Sequence, residues 1–192
     1  MSSHRLRAGE SVLLVIDVQE RLLAQIPDAH GLVRDVGFLI DVAQLLGIPV
    51  RATEQYPRGL GPTAEELARR LAADRPAKTA FSACGAPGVM NELRAAGRPS
   101  VVLAGMESHV CVLQTALDLL TAEFHVFLPV DAVSSRFRID HEAALRRLEL
   151  AGAILTTTET TAFEWLGGAE HPQFKAISNL IKVRSAERAV RN

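Results

Sequence analysis

Three residues in this chain have the types needed to share one piece of chemistry. Asp17 follows the apolar run "SVLLVI" (11–16), Lys78 opens "KTAFSA" (78–83), and Cys111 sits within "GMESHVCVLQTALDLL" (105–120). A carboxylate can take a thiol's proton, the resulting thiolate can attack a carbonyl carbon, and an ammonium can keep the carboxylate ionised. Gly105 closes an apolar run, Ser108 is a credible N-cap, and an Ala/Leu-rich helix is predicted from His109 onward. Cys111 then falls in the first turn, where N–H groups lack intrahelical partners and the dipole favours an anion. That placement predicts a thiol shifted toward thiolate, beside N–H donors able to hold an oxyanion. Each residue also has a plainer reading. A strand-end acid can tie down a loop, a lysine bordering a strand can snorkel to solvent, and a cysteine can be a small core residue.

The elements that would have to bring these residues together are legible in the pattern. Short apolar runs occur at 11–16, 48–53, 78–83, 100–105, 125–130 and 152–157, several after a Gly or Pro signal. They do not alternate, which predicts strands buried on both faces and hence a parallel sheet. Between them, 31–46, 63–73, 88–96 and 140–151 read as amphipathic helices, with Thr63 and Glu66 as a capping box and Asp140 as an N-cap. In 140–151, Leu145, Leu148 and Leu150 supply the apolar surface. The alternation predicts an α/β fold of three layers, an open, six-stranded, mainly parallel sheet with helices on both faces. In such a sheet ligands bind beyond the carboxyl ends of the strands. Asp17, Glu54, Gln55, Gly105 and Asp131 all end runs, so they are expected on one edge.

The chain has 192 residues, is 48% hydrophobic and carries a net charge of −1. It suits one domain with a core of about 10–165 and a helical tail over 166–192, free to fray or to dock on a partner. No basic stripe points to nucleic acid, and no apolar stretch is long enough for a membrane span. "MSSHRLRAGES" lacks the apolar core of a signal peptide. With two cysteines, Cys84 and Cys111, a disulfide framework is not expected. A soluble, reducing, cytoplasmic setting with free thiols is the expectation.

The segments "LLVIDVQE", "TEQYPRGLG", "AKTAFSA", "GMESHVCVLQTALDLL" and "VDAVSSR" together resemble the isochorismatase-like cysteine hydrolases, in order and spacing, over about 10–165. Within that family the chain looks most like the isochorismatase-domain-containing proteins of largely undefined substrate. The resemblance implies an Asp17–Lys78–Cys111 triad, a cis peptide between Met106 and Glu107, and an oxyanion held by the N–H groups of Glu107 and Cys111. It also implies a small-molecule substrate and a homo-oligomer, a dimer or tetramer. Vinyl-ether-cleaving isochorismatases characteristically lack a cysteine at the nucleophile position, so Cys111 favours acyl transfer at an amide-type C–N bond. Nicotinamidase-like members carry a metal site of aspartate and histidines near the second strand. No histidine occurs here between His30 and His109, so neither a catalytic metal nor a cofactor is expected.

Other residues carry two readings each. Glu54, Gln55 and Tyr56 are candidate substrate contacts or an intersubunit contact, or else a solvated loop. Phe81 and Ser82 are candidate pocket lining, with Phe81 equally a core residue. Residues two apart on a helix do not face each other, so His109 is read as packing rather than as a partner of Cys111. His4, His30, His125, His141 and His171 show no metal-type spacing. Cys84 reads as structural, Asp131 as tying the loop "DAVSSR", and Gln114 as reaching either the pocket or a neighbouring subunit. Trp165, in "FEWLGGAEHPQF", is a candidate interface anchor or a cover for the core. Two rivals come from other classes: a redox protein acting through Cys111 with Cys84 as its resolving partner, and a non-catalytic ligand-binding protein of the same fold. A dinucleotide-binding reading lacks its G-x-G-x-x-G after the first strand.

Overall fold

The computed structural model describes residues 5–189, so His4 and the last three residues of the predicted tail lie outside it. Seven strands are described: β1 (Ser11–Ile16), β2 (Val50–Gln55), β3 (Ala77–Lys78), β4 (Ser100–Met106), β5 (His125–Pro129), β6 (Val133–Ser134) and β7 (Ile154–Thr156). All pairings between them are parallel, in the order β3-β2-β1-β4-β5-β7, with the two-residue β6 joined to the end of β4. The helices are α1 (Glu20–Leu23), α2 (Ala29–Leu45), α3 (Pro57–Leu60), α4 (Glu65–Ala68), α5 (Val89–Ala95), α6 (Leu113–Thr121), α7 (Arg138–Leu150), α8 (Thr158–Leu166) and α9 (Phe174–Ala189). None is long and apolar enough to cross a membrane.

Strand alternation splits the core into two halves. On β1, Leu13 and Val15 face one side with Val102 and Ala104 of β4, under α2, α8 and α9. Val12, Leu14 and Ile16 face the other with Val101 and Leu103, under α5, α6 and α7. Because both faces are covered, β1 and β4 are buried throughout. The predicted three-layer α/β class is the one found; the sheet has one strand more than the six expected. The extra strand, β6, is too short to show as an apolar run. Conversely, most of "KTAFSA" is not strand: β3 stops at Lys78, and the chain turns over 79–85.

Several expected details take another form. The helix over 63–73 is found only as α4, and Thr63 gives its N–H and its hydroxyl to Glu54 instead of capping it. Asp140 lies inside the first turn of α7, whose N-cap is Phe137. Leu148 is buried there, whereas Leu150 is exposed. Asp131 does not tie its own loop. It accepts from the N–H and hydroxyl of Thr158, both at 2.8 Å, and from Arg184 at 2.6 Å. The tail does not fray through Ala189: α9 packs on α2, burying Ile177 and Arg184.

Candidate active site

The sheet order reverses between β1 and β4, and loops leaving those strands diverge to opposite faces. The crevice so formed is the standard ligand position of an open parallel sheet. Asp17 leaves β1 there with φ 51°, a left-handed conformation uncommon outside glycine. Its carboxylate is fully buried. Thr53 Oγ1 donates to Asp17 Oδ1 at 2.8 Å, and Lys78 Nζ donates to Oδ2 at 2.7 Å. Nζ also donates to Gln55 Oε1 at 2.6 Å and to the Phe81 carbonyl at 2.8 Å. Gln55 is held in turn by Gln19, whose Oε1 accepts from the Gln55 N–H at 2.7 Å and whose Nε2 donates to the Gln55 carbonyl at 3.0 Å. A buried ion pair survives only when its remaining hydrogen-bonding capacity is met, and these partners meet it.

Cys111 arrives from the other side of the crevice. After β4 the Met106–Glu107 peptide is cis, and residues Ser108–Val112 form a π-helical turn before α6 begins. The Val112 N–H reaches back five residues to the Glu107 carbonyl at 3.1 Å, which defines the turn. The turn is pinned at its far end. Thr115 Oγ1 donates to the Cys111 carbonyl at 2.6 Å and accepts from the Ala83 N–H at 2.8 Å. Cys111 is 6% exposed, with its thiol close enough to Asp17 and Lys78 to feel both charges. Its pKa is not lowered, contrary to the expectation from a helix N-terminus. Burial pushes it up to about 12, with the Asp17 charge acting in the same direction and the Lys78 charge opposing. The resting group is a protonated thiol beside an ion pair.

Residues 11–160 match the Isochorismatase domain family. The chain belongs to the isochorismatase family. It is 43% identical over 182 residues to isochorismatase domain-containing protein 2 of Homo sapiens, covering 93% of this chain and 86% of that one. It is 42% identical over 187 residues to isochorismatase domain-containing protein 1 of Danio rerio, covering 95% and 64%. The structure of MAR1 ribonuclease from Caenorhabditis elegans superposes with a TM-score of 0.87 at 43% identity, covering 93% of this chain and 92% of that one. The YcaC gene product of Escherichia coli, an octameric hydrolase of unknown specificity, superposes with a TM-score of 0.82 at 24% identity, covering 97% and 98%. At that identity it speaks for the fold alone. The fold is that of the isochorismatase-like hydrolases.

Against this family frame the other candidate residues divide. Gln55 and Thr53, two positions apart, share the face of β2 that looks at Asp17 and Lys78. Glu54 points the opposite way and is no pocket residue. Its carboxylate accepts from Thr63 and, at 3.1 Å, from Arg75. Burial alone would raise its pKa, but these donors hold it below the usual carboxylate range. Tyr56 and Phe81 lie about half exposed at the rim, either side of Lys78: the Tyr56 N–H donates to the Lys78 carbonyl at 2.9 Å. Phe81 is therefore not core. A groove of about 450 Å³ opens beside Lys78, lined by Tyr56, Arg58, Thr79, Gly85 and Pro87. Ser82 is spent locally, accepting from the Cys84 N–H at 3.2 Å. Ser108 does not cap α6; its hydroxyl turns to Ser135 and His141. His109 faces Ser135 and Asp140 rather than Cys111. Gln114 is exposed, and Trp165 is buried, so it covers the core and presents no anchor. Cys84 and Cys111 are both free thiols. Among the described residues no cluster of three His, Cys, Asp or Glu is placed to hold a metal ion. Gln19 and Thr53 are the positioning residues that sequence reading missed, although both lie inside its quoted motifs.

Proposed function

We propose that this protein is a cysteine hydrolase that cleaves an amide-type C–N bond of a small molecule through a thioester on Cys111. The observation that carries the reading is a buried thiol that feels the charges of a buried Asp–Lys pair whose other partners are already fixed. In the first step the Cys111 proton passes to Asp17 as sulfur attacks the carbonyl carbon. The charge balance favours a concerted transfer. Neutral thiol plus carboxylate becomes thiolate plus neutral acid, and Lys78 stays cationic throughout. The N–H groups of Glu107 and Cys111 receive the oxyanion. Asp17 then protonates the leaving amine, the C–N bond breaks, and an acyl thioester remains. A water that gives its proton to Asp17 attacks the thioester, releasing acid and restoring the thiol. The sequence of steps needs no metal or cofactor.

Gln55 sets the lysine, while Tyr56 and Phe81 at the rim are proposed to contact substrate. A cytoplasmic, reducing setting suits two free thiols. Exposed Tyr56, Phe81, Phe137 and Ile139 support self-association as a dimer or tetramer.

A screen of amides, ureides and carbamoyl compounds, with short RNA as a further arm, tests the reading on wild type and Cys111→Ala. One amide class should be turned over with release of amine, and Cys111→Ala should lose about 10³-fold or more. Intact mass should show the acyl group on Cys111 under single turnover. RNA cleavage that survives in Cys111→Ala, with no amide turned over, would sink it.

A further inference from the structure

Beside the nucleophile turn lies a second group of polar side chains that the proposed chemistry does not use. β4 and β6 run parallel, with Gly105 opposite Val133 and Met106 opposite Ser134. Past the strand ends the same side-by-side course continues in side chains. Arg136 Nε donates to Glu107 Oε1 at 2.8 Å, and the hydroxyls of Ser108 and Ser135 meet. Both serines are buried. Ser108 Oγ is also 3.0 Å from His141 Nδ1 on α7. Ser135 Oγ is 2.9 Å from His109 Nδ1, and His109 Nε2 is 4.0 Å from Asp140 Oδ2. The order is therefore His141, Ser108, Ser135, His109, Asp140.

Counting hydrogens gives this chain a direction. Three contacts join two hydroxyl oxygens and two imidazole nitrogens, and the hydroxyls supply only two hydrogens. With neither Nδ1 protonated, one contact would set lone pair against lone pair. With both protonated, one hydroxyl hydrogen would be left in a buried place without an acceptor. One and only one of the two Nδ1 atoms must carry hydrogen. The Asp140 carboxylate, 4.0 Å from His109 Nε2 and beyond a hydrogen bond, favours the hydrogen on that nitrogen by its charge, which leaves His109 Nδ1 as acceptor. The donation then runs from His141 Nδ1–H to Ser108, to Ser135, to His109 Nδ1.

We propose that His141, Ser108, Ser135 and His109 form a directional hydrogen-bonded latch that positions the nucleophile turn against the loop after β6 and against α7. Ser108 opens the turn and Cys111 lies within it; Thr115 holds only the far end. Without the latch the near end swings free, water reaches the sulfur, and the burial that keeps the thiol protonated weakens. Cys111 then alkylates faster while losing its aim at a carbonyl. The latch rests on the nucleophile reading only for its purpose, not for its existence.

Two measurements on the full chain test it. In ¹⁵N spectra of histidine-labelled wild type at neutral pH, His109 and His141 should be opposed tautomers, His141 carrying hydrogen on Nδ1. In site-resolved iodoacetamide labelling, Ser135→Ala and His141→Leu should raise the Cys111 rate about tenfold or more, the effect of losing one buried hydrogen bond. Cys84 serves as the internal control and should keep its rate. His141→Asn, whose amide can donate or accept near the place of Nδ1, should return Cys111 close to the wild-type rate. Two histidines with the same tautomer, or an unchanged Cys111 rate in Ser135→Ala, would overturn the latch. A wild type that hydrolyses no amide yet shows these tautomers and rates would overturn the hydrolase reading and leave the latch standing.

Discussion

Burial, reinforced by Asp17, pushes the Cys111 thiol up to about 12, and only Lys78 works against them. In the proposed mechanism the carboxylate is therefore both the base the thiol needs and a charge that keeps it protonated. Exchanging Asp17 for Asn separates these roles. The like charge disappears, Lys78 remains, and the thiol pKa falls by about a unit or more. Alkylation of Cys111 by iodoacetamide at pH 7.5 should thus rise about tenfold in Asp17→Asn, because a one-unit fall makes tenfold more thiolate. Amide turnover should fall at least about 10²-fold, the usual contribution of a positioned acid–base group. In wild type the labelling rate should climb with pH from 7 to 10 without a plateau, since the thiolate form is reached only near 12. A plateau near pH 7, or slower labelling in Asp17→Asn, would contradict this account. Asp17 ends one apolar run, Lys78 opens another and Cys111 follows a third, but each has a structural reading as well, and it is the motif resemblance that sets the three together. The sign of the cysteine shift was not legible. A helix N-terminus argues for a lowered value, but the turn here is π-helical and buried, and desolvation outweighs the dipole. Thr53 and Gln19 were illegible for a different reason: a strand threonine and a loop glutamine look alike whether they face a site or a solvent-exposed surface.

At the level of the elements, β1 and β4 must lie close enough to bring Asp17 and the nucleophile turn together. Gly105 is what allows it. It pairs with Ile16 in the parallel ladder and adopts φ 120°, so a Cβ there would lie 2.1 Å from the Ile16 carbonyl oxygen. Neither the conformation nor the space accepts a side chain, and the obstacle is backbone rather than a movable rotamer. Gly105→Ala should cost about 3 kcal/mol or more in urea unfolding, combining a disallowed φ with overpacking. It should also reduce turnover in whatever folded fraction remains, because Asp17 and Cys111 are set by this contact. Gly47→Ala is the fair comparison: its φ is 65° but a Cβ meets nothing within 4 Å, so only the conformational cost applies. Equal losses in the two variants would mean that strand separation does not govern the site. The pattern of apolar runs located β1, β2, β4, β5 and β7, the last as only three residues of its run. It missed β6 and overextended β3 because a two-residue strand carries no period. Those two are the elements that deliver Ser135 and Lys78, so the segments least visible in the sequence bring much of the polar chemistry into place.

Across the whole molecule, the C-terminal helix is tied to the sheet by charge as much as by apolar contact. Arg184 on α9 is 3% exposed and donates to Asp35 of α2 at 2.7 Å and to Asp131 after β5 at 2.6 Å, with its guanidinium 5.2 Å above the Phe38 ring. Nothing in "IKVRSAERAVRN" distinguishes this arginine from its exposed neighbours, which is why the tail reads as free to fray. Its partners lie 149 and 53 residues away. Asp131 also receives Thr158 at the start of α8, so one carboxylate joins β5, α8 and α9. Removing the cation would leave Asp35 to Arg34 and Asp131 to the more exposed Arg188 at 3.5 Å, with both carboxylates still poorly solvated. Arg184→Met keeps the aliphatic volume and deletes the charge, and should destabilise the chain by about 3–5 kcal/mol at pH 7, as expected when one partner of a buried ion pair is lost. Replacing three residues together, as Arg184→Met with Arg188→Met and Asp131→Asn, should recover part of that loss, because Asp35 keeps its bidentate pair with Arg34 and no unpaired buried charge remains. Chemical denaturation of the single and triple variants decides it. A single variant as stable as wild type would mean that α9 is held by Ile177 and its apolar neighbours alone. A triple variant no better than the single would mean that the damage comes from lost geometry rather than stranded charge. Either way Cys111 labelling should hold at the wild-type rate in the folded single variant, since the clamp lies across the sheet from α6 and touches none of the residues that hold the nucleophile turn.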